Sequence, residues 1–321
     1  MTTLFLVVPC YNEEAVLPET NRILKEKMTA LMEAGRIRKD SRILYVDDGS
    51  RDRTWEIISA CHAEDALVSG LKLAHNRGHQ NALFAGLMTA RLECDCAVSL
   101  DADLQDDIDV IDGFLDKFEE HCDIVYGVRK KRETDSFFKR TTAQGFYKCM
   151  KLLGVDIVYN HADYRLMSKR ALDALSEYTE TNLFLRGIVP LIGYRTDYVY
   201  YDRKERMAGE SKYPLKKMIS FALEGITSFS VKPLKIISNL GILISCLSVL
   251  GLLYALISYL THNAVAGWTA IVASIWLLGG IQLLCIGTLG GYIGKIYSEV
   301  KRRPRFHVEE YLKDGNDSDL H

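Results

Sequence analysis

No G-x-G-x-x-G follows the first apolar run of this chain, where Pro9-Cys10-Tyr11-Asn12 stands instead. That excludes a dinucleotide-binding oxidoreductase. Net charge is also missing: 40 Lys and Arg against 42 Asp and Glu leave −2, so no nucleic-acid partner is expected and any anion site must be local. The eight cysteines, scattered from Cys10 to Cys285, lack zinc or redox spacing, since the one close pair, Cys94 and Cys96, is two apart. They read as reduced, mostly buried thiols of a cytosol-facing protein. A secretory leader is not expected, because Leu4 to Pro9 is too short and runs into polar Tyr11-Asn12-Glu13-Glu14. Internal repeats are absent, and only the polar tail from about Lys313 reads as disordered.

What is present falls into two parts. Up to about Tyr126, short apolar runs alternate with helical patterns. Leu4 to Pro9, Arg42 to Asp47, Val68 to Leu73, Cys96 to Leu100 and Asp123 to Tyr126 read as strands. Ala15–Ala34, Thr54–His62, His79–Arg91 and Ile108–His121 read as helices. That rhythm predicts an α/β domain with a mostly parallel sheet, whose ligands bind beyond the carboxyl ends of the strands. After Lys235, Ile236 to Leu260 and Trp268 to Tyr292 carry no charge, each long enough to cross a hydrocarbon layer of roughly 30 Å as a helix. Lys232, Lys235, Lys295, Lys301, Arg302 and Arg303 flank the pair, while Thr261 to Gly267 has no Lys or Arg. The expectation is a multi-pass cell-membrane protein with both ends cytoplasmic. Leu215 to Ser230 has the spacing of an amphipathic helix on the membrane surface, with an ordinary domain helix as the alternative. Gly279, Gly280, Gly287, Gly290, Gly291 and Gly294 offer close-packing surfaces, so a homo-oligomer is open.

Polar clusters sit at the predicted strand ends. Tyr11, Glu13 and the Asp47-Asp48-Gly49-Ser50 run offer a ring to stack on a base and carboxylates to accept from base or ribose, although Asp-Asp-Gly-Ser also suits a turn. In Leu100-Asp101-Ala102-Asp103-Leu104-Gln105-Asp106-Asp107, residues two apart in an extended chain share a side. Asp101, Asp103 and Gln105 therefore form a candidate oxygen site for Mg2+ or Mn2+ bridging a diphosphate. The acids Asp106, Asp107 and Asp109 also suit a helix start. Arg129, Lys130, Lys131 and Arg132, then Lys139 and Arg140, are a solvated charge run or a phosphate site.

VVPCYNEE, VDDGSRDRT, NRGHQNAL and LDADLQDD, in this order, resemble inverting family-two glycosyltransferases of the GT-A fold. More narrowly, they are similar to polyprenyl-phosphate sugar synthases of the bactoprenol glucosyltransferase and dolichyl-phosphate mannose synthase type. The resemblance spans essentially the whole chain. It implies a nucleotide pocket at Pro9, Tyr11, Glu13 and Asp48, with Arg77 beside the nucleotide and sugar. Asp101 would lie near ribose and metal, with Asp103 and Gln105 as metal ligands. Where the family often has Pro-Pro after the glutamine, Asp106-Asp107 stands here. A mobile acceptor loop is implied at Arg129, Arg132 and Arg140. His161 to Met167 resembles the acceptor-side segment, making Asp163 the base or the acceptor-positioning group, with pairing to Arg165 as a structural alternative. Arg206, Gly209, Ser211, Lys212 and Tyr213 match RxxGxSKY, which implies a phosphate clamp in which Arg206 acts in catalysis and Lys212 holds the acceptor phosphate. A juxtamembrane basic patch leaves the same charges.

The implied partners are a UDP- or GDP-linked sugar, polyprenyl phosphate and membrane lipid, and the implied reaction is hexose transfer at the cytoplasmic face. Glucose is preferred; mannose, N-acetylglucosamine and an aminopentose stand behind it. The expected layout is a catalytic domain over 1–213, a juxtamembrane helix over 214–234, a two-helix membrane region over 235–294 and a cytosolic tail over 295–321. A processive polysaccharide synthase needs a Gln-x-x-Arg-Trp segment and further spans that this sequence lacks. A non-enzymatic adaptor or transporter subunit gives no reason for acids at strand ends.

Overall fold

A computed structural model describes residues 1–129, 161–180, 184–202 and 268–313, with isolated positions between 234 and 250. The chain divides into two compact units, one comprising 1–142, 157–212 and 303–321, the other 143–156 and 213–302.

The first unit is built on β1 (Leu4–Cys10), whose seven residues are all buried, as a central parallel strand with both faces covered requires. β2 (Arg42–Asp47), β3 (Val68–Leu73) and β4 (Cys96–Ser99) run parallel to it. β5 (Ile124–Arg129), β6 (His161–Ser168), β7 (Thr196–Tyr201) and β8 (Val308–Leu312) complete an eight-stranded sheet ordered β7-β5-β6-β4-β1-β2-β3-β8. Only β6 and β8 run against their neighbours.

Helix α1 (Leu17–Glu33) starts with Pro18 in its first turn and buries Leu17, Leu24, Met28 and Leu31 as one stripe. α2 (Thr54–Glu64), α3 (His79–Ala90) and α4 (Val110–Glu119) follow β2, β3 and β4. α3 lies close on the sheet because Gly86 has no Cβ: one added there would come 2.5 Å from Val7 and 2.6 Å from Val46. α5 (Lys169–Ser176), capped by the Ser168 hydroxyl, and α6 (Leu185–Leu191) lead to β7. Order reverses at β1, whose neighbours are β2 and β4. The loops after β1, β2, β3 and β4 therefore share the edge where open α/β sheets bind ligands.

The tail differs from its expected form. β8 pairs with β3, and Arg305 lies over the Phe84 ring at 4.4 Å, so residues 303–313 belong to the first unit. The six described cysteines are free thiols.

In the second unit, α7 (Trp268–Val300) has 33 residues. Its described side chains Ile271, Ile275, Leu283, Ile286 and Ile293 are exposed. Among the described residues, no helix is long and apolar enough to cross a membrane, which overturns the two spans, the multi-pass placement and the orientation built on them. An uncharged stretch in sequence is not by itself a spanning helix. α7 interrupts its aliphatic residues with Gln282 and repeated glycines and continues through Lys295 and Glu299. Nearly all of Ile236 to Leu260, and all of Leu215 to Ser230, lie outside the described residues.

Candidate active site

The loops after β1 and β2 are laced together. Asn12, at φ 56°, donates its N–H to Ser50 Oγ, and its Oδ1 accepts from the Arg51 N–H at 2.9 Å. Asp52 accepts from the Glu14 N–H, and the Thr54 hydroxyl accepts from the Glu13 N–H. Pro9 stays buried within β1, whereas the Tyr11 ring beyond it is 41% exposed.

Asp48 ties in the third loop. Its buried carboxylate accepts from the Arg77 N–H at 2.7 Å and the Gly78 N–H at 2.8 Å. Burial pushes its carboxyl up even though both amides stabilise the charge. Gly49 permits this approach, with φ at 64° and a virtual Cβ only 2.6 Å from the Asn76 nitrogen. Gly49→Ala is therefore expected to cost about 2–4 kcal/mol, combining left-handed backbone strain with overpacking against main chain. Denaturant unfolding checks this; a loss under about 0.5 kcal/mol, an ordinary surface effect, contradicts the close approach.

The acidic segment is not extended as its alternation suggested. β4 ends at Ser99, and residues 101–104 form a turn with Leu104 at φ 45°. The Gln105 N–H donates to Asp103 Oδ1 at 3.3 Å. Same-side pointing of residues two apart therefore fails here, because a turn does not alternate its side chains. Gln105 is buried, and neither of its side-chain amide atoms has a partner among the described residues. Asp106 accepts from Arg129 Nη2 at 3.0 Å and from the Tyr201 hydroxyl, while Asp109 pairs with Lys27.

Asp101 keeps 45% of its side chain open. Burial raises its carboxyl most; His79 opposes this, Asp163, Asp106 and Asp103 add to it, and the group stands at about 6. Among the described residues, no three His, Cys, Asp or Glu side chains converge as a metal-holding group. The residues nonetheless fit a cation that draws further oxygens from a substrate phosphate. Asp163, Asp106 and Asp103 crowd the Asp101 carboxylate, and the Gln105 amide oxygen is a buried acceptor with no partner among the described residues.

Antiparallel β6 brings the second half of the site. Its register pairs Ser99 with Arg165 and so sets Asp163 just past the end of β4. Asp163 is buried under four polar side chains. Arg165 donates to it at 2.6 Å, Arg186 forks onto both oxygens at 3.2 and 3.0 Å, and Gln80 donates at 3.3 Å. His79 Nε2 lies 3.5 Å from Asp163 and 3.8 Å from Asp101, joining the two carboxylates. Burial alone would raise the Asp163 carboxyl, but His79, Arg186 and Arg165 together hold it well below the usual range. Burial pulls the His79 imidazole down, yet the two carboxylates outweigh it and leave the group raised.

The structure thus brings Asp101, Asp103, Asp163, Asp48 and Arg77 to one edge of the sheet, with Tyr11 and Glu13 on the neighbouring loop. Arg129 reaches inward to Asp106 and Tyr201. Arg132, Arg140, Arg206 and Lys212 lie outside the described residues. Sequence reasoning gave no role to His79, Gln80 or Arg186. The first two stood inside a quoted motif, and a lone arginine between Leu185 and Gly187 in an apolar stretch was the signal for the third.

Fold and site together define a glycosyltransferase of the GT-A kind. Residues 5–176 match the model described as glycosyl transferase family 2, and the chain belongs to that family. It is 55% identical over 306 residues to the uncharacterized glycosyltransferase YkoT of Bacillus subtilis (strain 168), spanning 95% of this chain and 91% of the relative. It is 40% identical over 309 residues to the bactoprenol glucosyl transferase of Shigella phage SfX, spanning 95% and 98%. Among solved structures, the mannosyltransferase PcManGT from Pyrobaculum calidifontis in complex with GDP-Man and Mn2+ superposes with a TM-score of 0.42 at 15% identity, covering 94% of this chain and 87% of that one. A likeness that distant carries no functional argument.

Proposed function

We propose that this enzyme transfers a hexose, glucose first among the candidates, from a UDP- or GDP-linked sugar to polyprenyl phosphate with inversion at the anomeric carbon. The observation that carries the reading is the open, crowded Asp101 carboxyl at the switch point of the sheet. The identity with relatives named bactoprenol glucosyl transferases over nearly their full length supports it.

In this reading the Tyr11 ring stacks on the base, and Asp48 holds the Arg77-Gly78 backbone beside the nucleotide. Asp101 and Asp103, with Gln105, hold Mg2+ or Mn2+, which when bound stabilises negative charge on the departing nucleotide diphosphate. Asp163 positions rather than abstracts. A carboxylate saturated by arginine, glutamine and histidine donors is a weak base, and an acceptor phosphate monoester with a second pKa of about 6 is already dianionic at neutral pH. The anionic acceptor oxygen attacks the anomeric carbon as the bond to the nucleotide diphosphate breaks, so no proton has to move.

Purified protein given Mg2+ or Mn2+, polyprenyl phosphate and UDP-glucose, GDP-mannose, UDP-N-acetylglucosamine or a nucleotide aminopentose is expected to release nucleotide diphosphate with one donor. A lipid-linked sugar should form in equal amount, and chelator should stop both. If none of these donors yields nucleotide diphosphate, the proposal ends.

A further inference from the structure

Residues 305–312 lie behind a loop that the donor site uses. That loop, Ala74 to Gly78, joins β3 to α3 and exposes its side chains from Ala74 to Arg77, so it has no core of its own to fix it. Its far end is held from within the site, where Asp48 accepts from the Arg77 and Gly78 N–H groups. Its near end is held from outside, because the Ala74 N–H donates to the His307 carbonyl at 3.0 Å.

The same segment holds both elements that the loop joins. On β3, β8 pairs Leu71 with Tyr311, Lys72 with Glu310 and Leu73 with Val308, its register shifting between Lys72 and Leu73. Lys72 also meets Glu309 at 3.0 Å. On α3, the Arg305 guanidinium and the Phe306 ring both lie on Phe84, the ring edge-on with centroids 6.5 Å apart. Phe84 stands one helical turn beyond Gln80, and Gln80 and His79 face Asp163. With the strand before it and the helix after it tied to one segment, the loop has its ends fixed before a ligand arrives. A loop ordered in advance loses less entropy when it binds.

We infer that residues 305–312 position the Ala74–Gly78 loop for the nucleotide of the donor, with Phe306 and the His307 carbonyl as the groups that set it. The inference rests on the proposed function, in which that loop lies beside the nucleotide. It gives the strand at the sheet's edge a part in donor binding, although Phe306 and His307 act through the loop and are positioning residues.

The test uses the full chain. Hydrogen–deuterium exchange of the ligand-free protein should show the Ala74 amide protected. In Phe306→Ala the amides of 74–78 should exchange about tenfold faster, the scale of a lost edge-to-face ring contact, and by a larger factor than those of β1 and β4. UDP and GDP are titrated into the same proteins, and the one that wild type binds should bind the variant about 5–20-fold more weakly. Phe306→Leu keeps apolar bulk and should recover part of both effects. In the transfer assay donor KM should rise by the same factor, while acceptor KM moves by less than about twofold. Exchange that speeds no more in the loop than in the sheet shows that the segment only stabilises the fold, and it overturns the inference. Unaltered nucleotide affinity beside a loosened loop overturns it too. Should Phe306→Ala not fold, the leucine variant and the Ala74 amide of wild type decide, and an unprotected Ala74 amide ends the inference. Binding of neither nucleotide by wild type is a different failure, since it removes the proposed donor and leaves exchange to report whether the segment holds the loop.

Discussion

Asp163→Ala is expected to lower folding stability by about 3–5 kcal/mol, the usual consequence of removing one partner of a buried ion pair, and to abolish turnover. The cost arises from what remains. Arg165 is 1% exposed and already has Nη1 buried without a partner, so losing Asp163 also strips its Nη2. Arg186 and Gln80 lose their common acceptor at the same time. Asp163→Asn keeps the shape but not the charge and should fall between the alanine variant and wild type. The acid side of the pH dependence has a fixed sign. A carboxyl held below its unfolded-state pKa contributes stability that is present above that pKa, about 3.9, and lost as pH falls through the folded value. The difference between wild type and the alanine variant should therefore shrink on acidification below about 4, and it should also decline as pH rises through the raised His79 value, because Asp163 helps to keep that imidazole protonated. Urea unfolding across both transitions measures it, and a deficit below about 1 kcal/mol at pH 7 contradicts the picture of Asp163 as the shared anchor of this cluster.

Asp163 also shows where sequence stops being enough. Arg42–Asp47 and Val68–Leu73 are found as strands with their expected bounds because a buried parallel strand needs only a local apolar run bounded by turn residues. β6 has no such run. Its buried Asp163 and Arg165 look like surface residues until each is seen to neutralise the other and to meet Arg186, 23 positions later. β8 carries no strand signal in the sequence, since its residues are largely exposed and its order comes from pairing with β3, far away in sequence. The acidic D-x-D-x-Q segment reads as an extended strand end and folds as a turn. Residue types mark the site, but the positive φ at Leu104 that makes a turn of it belongs to a residue that gives no warning of it. The glycines divide in the same way: Gly49 sits in an evident turn signal, whereas the need for Gly86 appears only once α3 lies against Val7 and Val46.

Asp101→Asn should separate stability from activity in opposite directions. In the metal-free protein, burial and the carboxylates of Asp163, Asp106 and Asp103 raise the Asp101 carboxyl to about 6 against the pull of His79. The native state thus binds a proton more tightly than the unfolded chain, whose aspartates titrate at about 3.9. Stability must then fall as pH rises from about 4 to 6 and stay reduced above that. An amide carries no charge to crowd. With chelator at pH 7.5 the variant should unfold about 1–2 °C higher than wild type, as for a gain near 1 kcal/mol in a chain of this size. The gain is kept small because Asp101 is partly open to screening water, and it should vanish at pH 4. Transfer should meanwhile drop about 10²–10³-fold, since the proposed cation site loses an anionic ligand and with it several kcal/mol of leaving-group stabilisation. Calorimetry and the donor assay read the two halves independently. An unchanged midpoint shows that the carboxylates do not repel one another in the free protein, and a raised midpoint with full activity shows that Asp101 strains the fold for some purpose other than this chemistry.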